Sequence, residues 1–96
     1  MRISEFQKLI EAIYFARDSA RGRERTFAWF IEEVGELARA LNRPHDQTGR
    51  NLREEFADVL AWLSTLASLE GVSLEDAARE KYGQGCPKCG QTPCRC

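Results

Sequence analysis

The sequence lacks the excess of positive charge with which proteins hold polyanionic nucleic acids. Its 14 Lys and Arg residues are balanced by 15 Asp and Glu residues, so the net charge at pH 7 is −1. Binding to nucleic-acid phosphates depends on clustered Lys and Arg side chains that displace counterions. We therefore expect no nucleic-acid partner.

Long hydrophobic runs and a leader segment are also missing. The longest apolar stretches are interrupted by Glu, Asp or Ser, well short of the roughly 18 apolar residues that a membrane-spanning helix needs. The chain does not open with a charged stretch followed by an apolar one, as a secretory signal peptide does. These absences predict a cytoplasmic protein without a membrane partner.

Cysteine is absent from most of the chain and is concentrated at its end. The four cysteines are Cys86, Cys89, Cys94 and Cys96. The disulfides of a secreted protein are usually spread through its fold, so metal binding is the first hypothesis. Four thiolates match the ligand count of a closed tetrahedral Zn²⁺ site, although the two pairs lie closer together than in ordinary zinc ribbons. A flexible tail with reducible thiols, which form disulfides on oxidation, is the alternative.

What the sequence has in abundance is helical periodicity. Apolar spacing predicts three long helices and a short fourth, at about residues 3–20, 26–43, 50–70 and 74–82. Residues 19–24 and 43–49 are predicted to connect the first three helices. Ser4 with Gln7, and Ser73 with Asp76, have the spacing of capping boxes.

This pattern predicts an all-α fold, an antiparallel helical bundle over residues 1–83, followed by a cysteine-rich tail over residues 84–96. A chain of 96 residues buries a modest core by itself. We therefore expect oligomerisation to complete the bundle.

The second and third helices each carry an apolar stripe that is predicted to face the core. These residues are Phe27, Phe30, Ile31, Val34, Leu37, Ala38 and Leu41 on the second helix, and Leu52, Phe56, Val59, Leu60, Leu63, Leu66 and Ala67 on the third. A second stripe on the second helix contains Trp29, Glu33, Glu36 and Ala40. Such a pattern is unusual for a face that meets only solvent.

Acidic residues are grouped at two points, in Glu32-Glu33-Val34-Gly35-Glu36 and in Glu54-Glu55-Phe56-Ala57-Asp58. Like charges three or four residues apart on a helix repel by roughly 0.2–0.5 kcal/mol per pair. A divalent cation shared by two facing helices would replace this repulsion with coordination, and Mg²⁺ prefers carboxylate oxygens. A solvated acidic face is the alternative for either group taken alone.

At these positions the sequence resembles the MazG-type, all-α nucleoside triphosphate pyrophosphohydrolases. The resemblance covers about residues 3–82 and includes Asn51-Leu52 between the acidic groups. It implies a homodimer or homotetramer that uses Mg²⁺ to cleave a nucleoside or deoxynucleoside triphosphate into the monophosphate and pyrophosphate, with removal of unwanted nucleotides as its expected role. It also implies Glu33, Glu36, Glu55 and Asp58 as metal ligands, and Glu32 as the residue that orients or deprotonates the attacking water.

Four further side chains are candidates for holding the substrate. Lys81 matches a lysine that follows the last helix in similar proteins, and a solvated lysine at a helix end is an equal alternative. Arg53 and Asn51 lie near the start of the acidic third helix, which Asn51 could instead cap. Trp29 could stack on a base, or pack in a core or subunit interface.

The rival hypothesis is a non-catalytic dimerisation module whose tail binds zinc and docks a partner. The two hypotheses differ in one measurable property, because only the enzyme requires metal-dependent binding of a nucleotide.

Overall fold

The structure is a computed structural model that describes residues 1–43 and 49–96, without the side chain of Arg50. These residues contain four helices and no strand. The helices are α1 (Ile3–Arg21), α2 (Arg23–Leu41), α3 (Arg50–Leu69) and α4 (Leu74–Tyr82). The predicted all-α class is confirmed. Most of the predicted loop at residues 43–49 lies outside the described residues.

The start of α1 differs from the predicted capping box. Arg2 is the N-cap, and its backbone N–H donates to the carboxylate of Glu5 at 2.9 Å. Ser4 lies inside the helix, where its backbone N–H donates to Glu75 at 3.2 Å. The prediction that Ser4 and Gln7 form the cap is therefore wrong, because the helix begins two residues earlier, where Glu5 accepts the free N–H of Arg2.

A single residue separates α1 from α2. Gly22 has φ +87°, a backbone conformation that glycine adopts without strain. The Thr26 hydroxyl donates to the Gly22 carbonyl at 2.7 Å and is fully buried. The predicted turn of residues 19–24 was too long because charged residues such as Arg23 and Glu24 are good helix formers and begin α2.

The short helix α4 is held against the start of α1. The backbone N–H of Asp76 donates to the Ser73 hydroxyl at 3.2 Å, which confirms the predicted cap. Glu75 then pairs with Arg2 at 2.7 Å. The most extensive contact between helices in the described chain is the one between α2 and α3.

Most of the apolar stripe of α2 that was predicted to fill the core is instead exposed, and Phe30 and Leu37 are half-buried. Phe27 and Ile31 are 53% and 49% exposed, and Phe56 of α3 is 53% exposed. Among the described residues, the buried apolar side chains are Ile10, Ala40 and Ala67. The prediction is confirmed at Ala67 of α3, which is buried, and is wrong for most of the α2 stripe in a single chain, because α2 turns its other stripe, the one containing Ala40, toward α3. Exposed apolar side chains of this kind usually contact another protein. We call the exposed members of the two stripes the apolar face: Phe27, Ile31, Val34 and Leu41 of α2, and Phe56, Leu60 and Leu63 of α3.

None of the helices within the described ranges is long and apolar enough to cross a membrane.

Candidate active site

Matching pairs of side chains place the second stripe of α2 against α3. Trp29, near the start of α2, stacks on Trp62, near the end of α3, with ring centroids 6.4 Å apart and planes inclined by 17°. Glu36, further along α2, borders the same pocket as Asn51 and Glu55 from the start of α3. The contact between α2 and α3 is therefore lined by the residues that interrupt the apolar pattern of both helices.

Carboxylates from both acidic groups meet at this contact. Glu33, Glu55 and Asp58 each bring one oxygen within 4.8 Å of the others. Glu36 is close enough to Glu33 and Glu55 for a side-chain hydrogen bond if a proton is shared. We call these four residues the carboxylate cluster.

Two oxygens of the carboxylate cluster are buried without a partner. The Oε2 atoms of Glu33 and Glu55 have no hydrogen-bond donor among the residues that the structure describes. A buried acceptor left in this way costs about 1–3 kcal/mol, and folded proteins rarely tolerate one. Carboxylate oxygens are the ligands that hard cations such as Mg²⁺ prefer, so the cluster fits a divalent cation.

Burial and mutual repulsion raise the pKa of three carboxyl groups in the cluster. For Glu33 and Glu55, removal from water has the largest effect on the pKa, followed by the charges of Glu36 and Asp58. Burial also raises the pKa of Asp58, followed by the charges of Glu54 and Glu36. A bound cation would oppose these shifts because an opposite charge favours the ionised form.

A cavity of about 220 Å³ lies between α1 and α3, next to the carboxylate cluster. Its walls include Asp58 of the cluster, Arg17 and Trp62. The guanidinium of Arg21 lies 5.0 Å from the Trp62 ring centroid and is held by Asp18 at 3.0 Å. The cavity thus combines an aromatic wall with two guanidinium groups and with the carboxylates of Asp18 and Asp58, and its aromatic wall suits the packing of an aromatic ring.

A smaller pocket of about 120 Å³ lies toward the start of α3. Glu36 and Glu55 of the cluster border it together with Arg39, Arg43 and Asn51. The structure therefore brings Asn51 to the cluster. The alternative that Asn51 caps α3 is wrong, because the N-cap position belongs to Gly49.

The other candidates stand apart from the cluster in the described chain. Lys81 lies on α4, 5.6 Å from the centroid of the Tyr82 ring, and lines neither pocket. Arg53 is exposed on α3 and also lines neither pocket. Glu32 is exposed on α2 and is not among the carboxylates that meet. Trp29 is 51% exposed and contacts the second tryptophan rather than an open cavity.

Sequence reasoning missed four arginines that line the two pockets. They are Arg17, Arg21, Arg39 and Arg43. Arg17 was predicted to lie in the first helix but was given no role, and Arg21 was assigned to the connection of residues 19–24, although residues four apart share one face of a helix. Arg39 follows Glu36 at an offset of three, which places it on the same face of α2, and Arg43 lies just beyond the end of that helix.

The four cysteines of the tail also converge, and their thiols are free rather than joined in disulfides. Their Sγ atoms all lie within 4.8 Å of one another. The backbone N–H of Arg95 donates to Cys89 Sγ, and this contact is the largest cause that lowers the pKa of the Cys89 thiol to about 6. The tail therefore gathers four sulfurs at one point, separate from the carboxylate cluster.

Comparison with protein families matches residues 21–90 to the MazG nucleotide pyrophosphohydrolase domain. The matched region contains α2, α3 and α4, and therefore the complete carboxylate cluster. No curated protein matches the chain at a significant level.

Proposed function

Because the chain belongs to the MazG nucleotide pyrophosphohydrolase family, we propose that it cleaves a nucleoside or deoxynucleoside triphosphate into the monophosphate and pyrophosphate. The observation that carries this proposal is the pair of buried oxygens of Glu33 and Glu55, within the carboxylate cluster, that have no partner among the described residues. Removal of unwanted or damaged nucleotides is the role that we propose for the activity. A reducing cytoplasm, where the four cysteines stay as free thiols, is the proposed location.

In this proposal, Glu33, Glu36, Glu55 and Asp58 hold Mg²⁺ between α2 and α3, which we take to pack antiparallel. Mg²⁺, when bound, neutralises the phosphates and stabilises the charge that develops on the attacking and leaving oxygens. The carboxylates alone would repel a triphosphate, so they need a cation before the substrate can approach. The donor set is consistent with this ion because every ligand is a carboxylate oxygen.

The two pockets beside the cluster have different chemistry, and we assign them to different parts of the substrate. Arg39, Arg43 and Asn51 line the smaller pocket, where guanidinium groups can bind phosphate oxygens through paired hydrogen bonds. The larger cavity has Trp62 in its wall and suits the nucleobase, which can pack on an aromatic ring. The scissile bond then lies between the pockets, against the carboxylate cluster.

Glu32 is the proposed general base. It is exposed on α2, next to Glu33 in sequence and one helical turn before Glu36. A carboxylate outside the ligand set keeps a free lone pair with which to orient and deprotonate the attacking water. Replacing Glu32 with Gln should lower kcat while leaving Mg²⁺ binding intact, and loss of Mg²⁺ binding in this variant would contradict the assignment.

The active form in this proposal is a homo-oligomer, either a dimer or a tetramer, built on the apolar face. Phe27, Ile31 and Phe56 are each about half exposed in the single chain, which leaves an apolar surface that a second copy can cover. Lys81 and Arg53 remain predicted substrate contacts, and their exposure leaves them accessible in such an assembly.

The assembly is tested by replacing Ile31 with Asp, a charge at the centre of the apolar face. Sedimentation velocity should then show the monomer at concentrations where the unmodified chain is oligomeric. Glu80→Lys, a charge change on the exposed side of α4, is the matched control and should leave the assembly unchanged. A monomeric unmodified chain would refute this part of the proposal.

The activity is tested by measuring pyrophosphate release from a panel of canonical and modified triphosphates, with Mg²⁺ or with a chelator. We expect Mg²⁺-dependent release that falls at least ~100-fold in Glu36→Ala and Asp58→Ala, because each change removes a proposed ligand. Glu80→Ala is the control, since Glu80 is exposed on α4. Circular dichroism should show the same helical content in all variants.

Calorimetry with Mg²⁺ and a non-hydrolysable triphosphate separates the enzyme from the rival dimerisation module. The enzyme requires nucleotide binding that depends on the metal, whereas the module predicts none. Unchanged turnover in Asp58→Ala would refute the site, and absence of metal-dependent binding in the unmodified chain would refute the function.

A further inference from the structure

We propose that Cys86, Cys89, Cys94 and Cys96 bind one Zn²⁺ ion in a closed tetrahedral site that folds the C-terminal tail. This inference goes beyond the proposed hydrolysis, in which the tail takes no part. It rests on the positions of the four sulfurs, on the hydrogen bonds of the backbone around them and on the absence of buried residues in the tail.

The distances between sulfurs suit a metal at their centre. With Zn–S bonds of about 2.3 Å, the sulfurs of a regular tetrahedron are roughly 3.8 Å apart. Cys86 and Cys96 are separated by 3.7 Å between Sγ atoms, and Cys89 and Cys94 by 4.0 Å. A disulfide would require about 2.05 Å. The two close pairs are thus spaced as opposite edges of one tetrahedron, with every sulfur within 4.8 Å of the others.

A tight turn prepares the first pair of cysteines. The backbone N–H of Gly90 donates to the Cys86 carbonyl at 2.7 Å, and the N–H of Cys86 donates to the Gln91 carbonyl at 3.1 Å. Gly90 has φ +70°, which favours glycine at this position. These bonds curl the chain so that Cys86 and Cys89 present their sulfurs to the same point.

Backbone amides also point at the sulfurs. The N–H of Arg95 donates to Cys89 Sγ at 3.4 Å, and the N–H of Cys96 donates to Cys94 Sγ at 3.3 Å. Hydrogen bonds from N–H groups stabilise the thiolate form, which is the form that binds a metal. Lys88 and Arg95 add positive charge beside a centre that carries two net negative charges when four thiolates bind Zn²⁺.

Apart from these few hydrogen bonds, the tail has no buried core that would hold the arrangement. Residues 84–96 contain no helix or strand, and none of them is buried. A segment without a core cannot offset the entropy lost when its backbone becomes ordered. A structural metal supplies that free energy in small domains, because the site exists only in the folded state. Four protein ligands leave no open coordination position, so the site is structural rather than catalytic.

The test measures metal content and spectrum in the full chain, purified with reductant and reconstituted with Zn²⁺ or Co²⁺. We expect one zinc per chain by elemental analysis, and in the Co²⁺ form the visible absorption of a tetrahedral thiolate centre. Cys89→Ser and Cys96→Ser should each weaken Zn²⁺ binding at least ~100-fold. Gln91→Ala, which keeps the backbone carbonyl used in the turn, is the matched control and should keep the metal.

Three outcomes would overturn the proposal. Zinc retained in both cysteine variants but lost in Asp58→Asn would place the ion at the carboxylate cluster. Cobalt that binds without thiolate absorption would exclude the sulfurs as ligands. Tail amide signals in NMR spectra that stay dispersed after chelation would show a tail that folds without metal. None of these outcomes touches the proposed hydrolysis, which Cys89→Ser should retain with Mg²⁺.

Discussion

Asp18 and the carboxylate cluster lie near the same cavity, and their buried oxygens differ in whether they have partners. Asp18 of α1 is 5% exposed. Its carboxylate accepts a hydrogen bond from the Thr65 hydroxyl at 3.0 Å and forms a salt bridge with Arg21 at 3.0 Å. Glu33 and Glu55, whose neighbour Asp58 lines that cavity, each have a buried oxygen without a partner in the described chain. Asp18 therefore has the contacts of a residue that stabilises the fold, and the carboxylate cluster does not.

The difference indicates what the carboxylate cluster is built for. The fold provides a hydroxyl and a guanidinium for Asp18, whereas the charges that act most strongly on Glu33 and Glu55 are those of the neighbouring carboxylates Glu36 and Asp58. Proteins commonly give up some folding stability at a functional site, because the site must hold its side chains ready for a ligand. A divalent cation is the partner that we propose for this site. Substitutions in the carboxylate cluster and at Asp18 should then have opposite effects on stability.

The largest effect should come from Glu55→Gln, which keeps the shape of the side chain and removes its charge. We expect pyrophosphate release to fall at least ~100-fold, because an amide is a poor ligand for Mg²⁺. Turnover as a function of Mg²⁺ concentration measures this loss. Glu80→Gln on α4 is the matched control, since its carboxylate is exposed and distant in the chain. Equal turnover in both variants would show that the carboxylate of Glu55 is not needed for the activity.

The next largest effect should come from Asp18→Ala, which leaves the Arg21 guanidinium and the Thr65 hydroxyl without their partner. We expect a loss of about 2–4 kcal/mol in the free energy of unfolding, measured by urea denaturation. Asp76→Ala is the control, because Asp76 pairs with Arg79 while both side chains are more than half exposed. Its loss should not exceed about 1 kcal/mol. Similar losses in the two variants would show that Asp18 is no more structural than a surface residue.

A smaller effect of opposite sign is expected for Glu33→Gln in the protein without divalent cations. Removing one charge from the carboxylate cluster relieves both repulsion and the cost of burying an ion, so the free energy of unfolding should rise by about 1 kcal/mol. Addition of Mg²⁺ should reverse the order of stability, because the unmodified chain then gains more from binding. Urea denaturation with and without Mg²⁺ checks both signs. A Glu33→Gln variant that is less stable in both conditions would contradict the comparison.

Much of the helical framework is predictable from local pattern. Apolar spacing predicts the observed start of α3 at Arg50, and together with the Ser73 cap it predicts both ends of α4. The presence of two acidic motifs on neighbouring helices is also readable from spacing, and the structure brings three of their carboxylates together. The metal and the roles of these residues stay predictions.

Two features could not be read from local pattern because they depend on tertiary arrangement. Both stripes of α2 have helical periodicity, so spacing alone does not decide whether Ile31 or Glu33 faces α3. The more apolar stripe was assigned to the core, and the structure leaves most of it exposed. Likewise, Arg17 and Arg21 reach the cavity only because α1 packs on α3, a long-range contact that their own sequence neighbourhood does not encode.

The smallest effect is a dependence of stability on pH in the protein without divalent cations. The pKa of Glu55 is raised in the fold from its ordinary value of 4.5, by burial and then by the charges of Glu36 and Asp58. The folded state therefore binds this proton more tightly than the unfolded state, and the stabilisation is complete below the ordinary pKa and lost as the pH rises through the raised value. Glu75 acts in the opposite direction, because the Ser4 N–H and then Arg2 lower its pKa, so the unmodified chain alone does not isolate the effect.

Glu55→Gln does isolate it, since Gln resembles a permanently protonated Glu. The unfolding free energies of the two proteins should differ at neutral pH and converge as the pH falls toward about 4.5, and a difference independent of pH would show that the charge of Glu55 costs the fold nothing.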